Sequence, residues 1–440
     1  MTLLGPVLWL LATLATGDRL LAWLAPRPRT AVGHLSLSFL LGLAGSTLLA
    51  FWLNLLGVPL APWLPAAVAL PFLVLAALGR RPAWLPDSRP SLLALFLLLL
   101  FVGLPLAKSL WEPLKGWDAR VIYGNYTALL VHEQSVRGEG FTDPSRSVWL
   151  VNYPLLLPLA QWQVAGWMGG MEDHAMRILF PLCELAMLGC VWSSLARRAA
   201  APWPELATAC AAGVPFLYAV PDGSVPSGYA DVPLAALVAG FGALAWDWLD
   251  EPEDPGPLWL LTLLAAGMAF TKRGGLLIAL LGLALLLVMS RRRGPVLASG
   301  LAMAAMLAPW WLHQRALTFW GSQNYAVRLY EVAVERKGLE SNGLLLLLRA
   351  LADTFLRPGH QALFWWAFAA ALPGALRGDR GVRLLALLVL GTALGTWLFL
   401  LRSGEGAELL NAYSWGRYTL PLLPLGAMVV GAVAGRGGRS

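Results

Sequence analysis

The chain has 440 residues, 58% of them hydrophobic and 13% charged, and it carries 22 tryptophans. A soluble globular domain carries roughly 25% charged residues, so this composition, with a mean hydropathy of +0.65, excludes a soluble enzyme and indicates an all-α polytopic membrane protein. The formal charge of +7 is accounted for by arginine-rich short segments and calls for no nucleic-acid partner.

A membrane-spanning helix needs about 20 apolar residues. In chain order the candidate spans are 3–24, 32–57, 61–79, 91–110, 174–195, 203–221, 231–249, 257–272, 274–290, 295–312, 361–376, 384–401 and 417–435, thirteen in all. No basic stretch precedes the first, so it does not read as a cleaved signal peptide. Asp18 and Arg19 interrupt it, either paired within the helix or marking its cytoplasmic end. The segment Pro86–Pro90 reads as a linker, which divides accessory N-terminal helices (1–90) from a core (91–440). Cys183, Cys190 and Cys210 lie in apolar segments without metal-ligand spacing, and Cys183 and Cys190 read as two buried thiols.

Orientation follows lysine and arginine in short loops. The clusters Arg27/Arg29, Arg80/Arg81/Arg89, Arg197/Arg198, Arg291–Arg293, Arg377/Arg380/Arg383 and Arg436/Arg439 all fall on the cytoplasmic side if the apolar stretch 153–170 does not cross. Its prolines and glycines make it a poor straight span, and it reads as an interfacial or re-entrant helix. Five polar regions then face outward: a first loop 111–173, 222–230, the 272–273 turn, a second loop 313–360, and 402–416. The acidic loop Asp247–Asp254 falls inside.

Within the outer regions, Asp118 follows Trp117 directly after a span and precedes Arg120; it is either a helix N-cap or a catalytic acid. Asp231, in Gly228-Tyr229-Ala230-Asp231-Val232-Pro233, starts another span and has the same two readings. Lys272-Arg273 sits between two apolar runs. The pair either snorkels or holds a phosphate, lysine as a point charge and arginine as a bidentate fork. Arg417 opens the last span among aromatic residues. Two outward-facing acids, Asp118 and Asp231, leave room for a divalent cation that nothing in the sequence requires. His132, His174, His313 and His360 have no metal spacing, and no phosphate-binding glycine loop or nucleophile elbow is present.

Trp117-Asp118-Ala119, Tyr153-Pro154-Leu155-Leu156-Leu157-Pro158, Gly228-Tyr229-Ala230-Asp231-Val232-Pro233-Leu234, Thr271-Lys272-Arg273-Gly274-Gly275-Leu276 and Gly416-Arg417-Tyr418-Thr419-Leu420-Pro421 occur in this order. The ordered set resembles bacterial integral-membrane glycosyltransferases of the GT-C type, relatives of protein O-mannosyltransferases and of the lipid A aminoarabinose transferase, over roughly residues 91–435. The resemblance implies a GT-C-like bundle of about thirteen transmembrane helices. Its first outer loop would carry the catalytic acid and helices lying on the membrane. It also implies a polyprenyl-phosphate-linked sugar as donor, with an unidentified protein, lipid or glycan acceptor. Asp118 maps onto the catalytic base and Lys272 onto a donor-phosphate position. Relatives tend to read Thr-Lys-Asn-Glu-Gly where this chain has Thr271-Lys272-Arg273-Gly274-Gly275; the missing acid and added cation favour a phosphate role there.

The expectation is therefore a bacterial inner-membrane transferase with its active site on the outer face. Asp118 and Asp231 are its catalytic candidates. Lys272, Arg273 and Arg417 would bind the donor phosphate, and Trp117, Arg120, Tyr153 and Tyr229 would line the substrate loop. Its surroundings would be membrane lipid. A transporter or flippase of a lipid-linked sugar is the rival reading, although no internal repeat is evident. A catalytically dead scaffold is a third.

Overall fold

The computed structural model describes residues 4–27, 29–79, 92–142, 153–218, 222–316, 361–402 and 412–438, with five isolated positions between 345 and 356. The expected linker 86–90, most of the second outer loop 313–360, His360 and nearly all of 402–411 lie outside the described residues.

Among the described residues the chain is helical throughout and contains no β-strand. Long runs of leucine and alanine satisfy their backbone within a helix, the only economical solution where water is absent. Seven segments are long and apolar enough to cross a membrane. They are α1 (Leu4–Leu24), α2 (Ala31–Leu55), the run from α8 (Asp173–Arg177) into α9 (Leu179–Ala196), α11 (Asp231–Asp250), α14 (Arg293–Ala316) and α16 (Arg380–Arg402). The seventh joins α17 (Ala412–Thr419) to α18 (Leu423–Ala434) through a tight 3-10 turn. Shorter apolar helices are α3 (Leu64–Leu78), α4 (Leu92–Trp111), α12 (Gly256–Thr271), α13 (Arg273–Met289) and α15 (Ala362–Leu376). The protein is a polytopic helical membrane protein.

The expected span 203–221 is different. Helix α10 (Trp203–Ala212) has ten residues, about 15 Å of helix, and stops at Gly213 before a 3-10 turn at Pro215–Leu217. Glycine weakens the helix there, and proline at 215 removes a donor and disfavours helical geometry at Val214.

The first polar loop folds as a π-helical turn (Ala119–Gly124), then α5 (Asn125–Glu133), α6 (Glu139–Thr142) and α7 (Leu156–Met168), before α8. Helix α7 has 13 residues, about 20 Å against the roughly 30 Å of a bilayer core. Its first ten residues are buried against protein, so within the fold it is a packed element. The side-chain oxygens of its two glutamines accept from hydroxyls inside the fold, Gln161 from Thr127 at 2.9 Å and Gln163 from Ser46 at 3.1 Å.

Helix α11 is the central post, buried along nearly its whole length against α9, α12, α16 and α18. Helix α2 packs on α1, α9 and α12. Asp18 and Arg19 pair with each other. Asp18 also bonds His34 of α2 at 2.7 Å, while Arg19 reaches the Leu75 carbonyl at 3.2 Å, so these charges tie α1, α2 and α3 together.

The C-terminal end of α11 carries a girdle of ion pairs. Asp247 accepts from Arg197 at 2.6 Å and Arg198 at 2.7 Å, and Asp250 from Arg198 at 2.6 Å. Arg27 pairs with Asp254 at 2.6 Å, Arg292 with Glu253, and, on neighbouring helices, Arg436 with Asp379. The acidic loop thus neutralises the arginines of the adjoining short loops.

Candidate functional site

The other end of α11 begins at Asp231, whose side chain is fully buried. A carboxylate in the first turn of a helix is favoured by the helix dipole, but here it has stronger partners. Its Oδ1 accepts from Lys272 Nζ at 2.5 Å and its Oδ2 from Arg417 Nε at 3.2 Å. Arg417 continues through its second nitrogen to Asp118 Oδ2 at 2.6 Å. The result is an unbroken chain, Lys272–Asp231–Arg417–Asp118, joining residues up to 299 positions apart in sequence.

Each member is placed by a break in a helix. Lys272 is a single extended residue (φ −156°, ψ 148°) between α12 and α13, which folds the two helices into a hairpin with the ammonium at its tip. Asp118 precedes the π-helical turn and makes no capping hydrogen bond, so the N-cap reading of this acid does not hold. Arg417 lies near the C-terminal end of α17. Its guanidinium rests over the Tyr229 ring at 4.4 Å, and its stem passes over Gly223. A Cβ on Gly223 would come within 2.7 Å of the Arg417 side chain, and the backbone there has φ +89°; only glycine meets both conditions.

Aromatic rings close the site. The Lys272 ammonium lies 5.7 Å from the Tyr418 ring, and the Arg273 guanidinium lies 5.2 Å from the Tyr153 ring. Such cation–π contacts are worth about 0.5–2 kcal/mol, most where water is scarce. Tyr153 packs edge-on against Tyr123, which is buried beside the acid-bearing turn.

The two acids are in different states. Asp231 has both oxygens engaged by cations and no access to solvent. Asp118 is partly open, with 16% of its side chain exposed. Burial pushes its carboxyl above the usual carboxylate range, opposed by the Arg417 guanidinium beside it. A carboxylate made more basic by its surroundings is a better proton acceptor near neutral pH. Burial also pushes the Tyr153 and Tyr229 phenols up, so both stay protonated, and the Tyr229 hydroxyl donates to Asp222.

The Arg417 guanidinium bridges Asp118 and Asp231. Among the described residues no group of three His, Cys, Asp or Glu side chains is arranged to hold a metal.

Of the residues singled out in the sequence, Asp118, Asp231, Lys272 and Arg417 form one cluster. Arg273, Tyr153 and Tyr229 flank it. Trp117 and Arg120 are exposed at its edge. Three contributors were not anticipated. Asp222 accepts a hydrogen bond from the Tyr229 hydroxyl at 2.6 Å, fixing the ring beneath Arg417; before glycine it looks like an ordinary turn residue. Gln361 donates to the Gly416 carbonyl at 3.1 Å and accepts from Thr419 at 3.0 Å, anchoring the helix that carries Arg417. Arg177, buried at the end of α8, is the third.

The chain matches no family model, no curated protein and no solved structure.

Proposed function

We propose that the protein is a membrane glycosyltransferase that moves a sugar from a polyprenyl-phosphate donor to an acceptor hydroxyl. The observation that carries this reading is the Lys272–Asp231–Arg417–Asp118 chain, in which a braced pair of cations sits beside one partly exposed acid. An apolar cavity of about 300 Å³, lined by Cys210, Val214, Pro215, Gln361, Phe364 and Val430, lies beside this end of the fold. Gln361 links its wall to the backbone of Gly416. The cavity suits the isoprenoid chain of a donor whose phosphate meets Lys272 and Arg417.

The resting contacts suggest the order of events. The donor phosphate takes up the Arg417 N–H groups that Asp118 holds, and Asp118 swings free. Its carboxylate then accepts the proton of the acceptor hydroxyl. The hydroxyl oxygen bonds to the anomeric carbon, the carbon–oxygen bond to phosphate breaks, and polyprenyl phosphate leaves with the electron pair. Charge on the leaving group is met by Lys272 and Arg417, preorganised at a water-poor site where such contacts are strongest. Arg273, next in sequence, is close enough along the chain to contribute.

The arginines of short loops gather at the far end of the bundle, and such loops are favoured in the cytoplasm. By that rule the site opens on the outer face, in a bacterial cell the periplasmic side of the inner membrane. The seven long and five shorter apolar helices, with a return through α10, are read as thirteen crossings of a GT-C-like bundle.

The test is to incubate the purified protein in liposomes with radiolabelled polyprenyl-phosphate sugars and candidate hydroxyl acceptors. Label in a new covalent product supports the transferase. Label that only changes leaflet identifies a flippase instead, and rejects the reading.

A further inference from the structure

Two turns bring the acids to the site. One, residues 112–118, leaves the end of α4 and delivers Asp118. The other, around the 3-10 turn Val225–Ser227, delivers Asp231. They lie against each other so closely that a Cβ on Gly116 would stand 2.4 Å from the Tyr229 ring and 2.5 Å from the Ser227 carbonyl oxygen. Neither turn belongs to a regular helix, so their carbonyls need donors from elsewhere.

Arg177, at the end of α8, supplies them. Its side chain is almost fully buried. One terminal nitrogen donates to the Glu112 carbonyl and, at 2.8 Å, to the Pro113 carbonyl; the other donates to the Pro226 carbonyl at 2.5 Å. A single planar fork thus grips both turns, 64 and 49 residues away in sequence. The contrast with Arg29 is instructive. That arginine is also buried, but its donors go to Ala25 and Arg27, within its own connection.

We infer that Arg177 is a positioning residue that sets the distance between Asp118 and Asp231 by clamping the two acid-bearing turns together. The guanidinium suits this task because its donors are rigidly spread, whereas a lysine ammonium is a single point on a flexible stem. If the turns drift apart, Arg417 cannot keep both acids. Asp118 then loses the contact that opposes the effect of its burial, while Asp231, Lys272, Tyr123 and Tyr153 remain around it. The inference that the clamp serves catalysis rests on the proposed transferase reading; the clamp itself does not.

The experiment compares hydrogen–deuterium exchange in detergent for wild type, Arg177→Met, Arg177→Lys and the control Arg29→Met. Arg177→Met should speed exchange by about tenfold or more in both segments 112–124 and 224–231, because charge-assisted bonds to both are lost. Arg177→Lys, which keeps a buried cation, should retain protection in one turn only. Arg29→Met should leave both turns unchanged. Changes confined to α8 and α9, or the same response from Arg29→Met, would overturn the clamp. In the transfer assay Arg177→Met should lose at least about tenfold in rate, since a 1 Å displacement of a catalytic group costs on the order of a hundredfold. Its acid limb should also move to higher pH. Coupled exchange in both turns without transfer by the wild type would sink the transferase reading and leave the clamp standing.

Discussion

Helix α11 carries a buried aspartate near each end, and each is held by two cations. Asp247 pairs with Arg197 and Arg198, and Asp231 with Lys272 and Arg417. What surrounds them differs. At the Asp247 end the next charges outward, Asp250, Glu253 and Asp254, are matched by arginines of neighbouring loops, and the network ends in solvent. At the Asp231 end one cation is shared with a second acid, Asp118, set among tyrosines on a turn that holds it without a helix cap. At each end one arginine serves two acids, Arg198 for Asp247 and Asp250 and Arg417 for Asp231 and Asp118; the second acid lies towards solvent at the Asp247 end, 44% exposed, and is largely enclosed at the other, 16% exposed.

Removing a brace should cost the most. Asp247→Ala leaves Arg197 and Arg198 without their buried partner, and breaking such a pair costs about 3–5 kcal/mol. Thermal unfolding in detergent should show this loss while the folded fraction keeps its transfer rate. A variant as stable as wild type would end the comparison. Asp118→Asn should do the reverse, with unfolding unchanged and transfer reduced by at least about a hundredfold, the range expected when a general base is lost. Wild-type transfer by Asp118→Asn would remove this residue from the mechanism.

A subtler effect concerns pH. Arg417 is the main influence holding the Asp118 carboxyl down against its burial. Arg417→Gln should therefore raise the carboxyl further. Because the base works only when ionised, the acid limb of the kcat/KM profile, measured at low donor and so reporting the free enzyme, should shift to higher pH. A shift downward, or none, would mean that Asp118 is not the titrating group. The smallest signal is chemical. Cys210 is the exposed cysteine, whereas Cys183 and Cys190 are buried, and Cys210 lines the apolar cavity. Polyprenyl phosphate should slow its alkylation, and a short-chain phosphate should not. Equal protection by both would place the lipid chain elsewhere.

Four residues of the site were legible in the sequence because each stands where an apolar run stops. Asp118, Asp231, Lys272 and Arg417 are also brought to the same end by the parity of the helices between them. Their division of labour was not legible. Both acids read equally as caps, and only three-dimensional contact separates the doubly engaged Asp231 from the partly exposed Asp118. Arg177 was invisible for a different reason: its partners are backbone carbonyls, which leave no mark on residue type, and Gln361 meets the Gly416 carbonyl and Thr419 from 55 and 58 positions away. The early end of α10 was written in Gly213 and Pro215 but was outweighed by the apolar count of the whole window. The acids of Asp247–Asp254 contribute little to topology rules, yet in the fold they neutralise the neighbouring arginines.

The linked side chains Lys272, Asp231, Arg417 and Asp118 carry two positive and two negative charges when ionised. Such a quartet projects little field beyond its own contacts, and what it projects is cut off within about 8–10 Å by physiological salt. It cannot draw an anion out of bulk water in the way a basic cleft does. On the proposed mechanism a phosphate would gain from this site only on arrival, by exchanging partners with Asp118. Capture should therefore depend weakly on ionic strength and strongly on how much ligand is dissolved in the surrounding lipid.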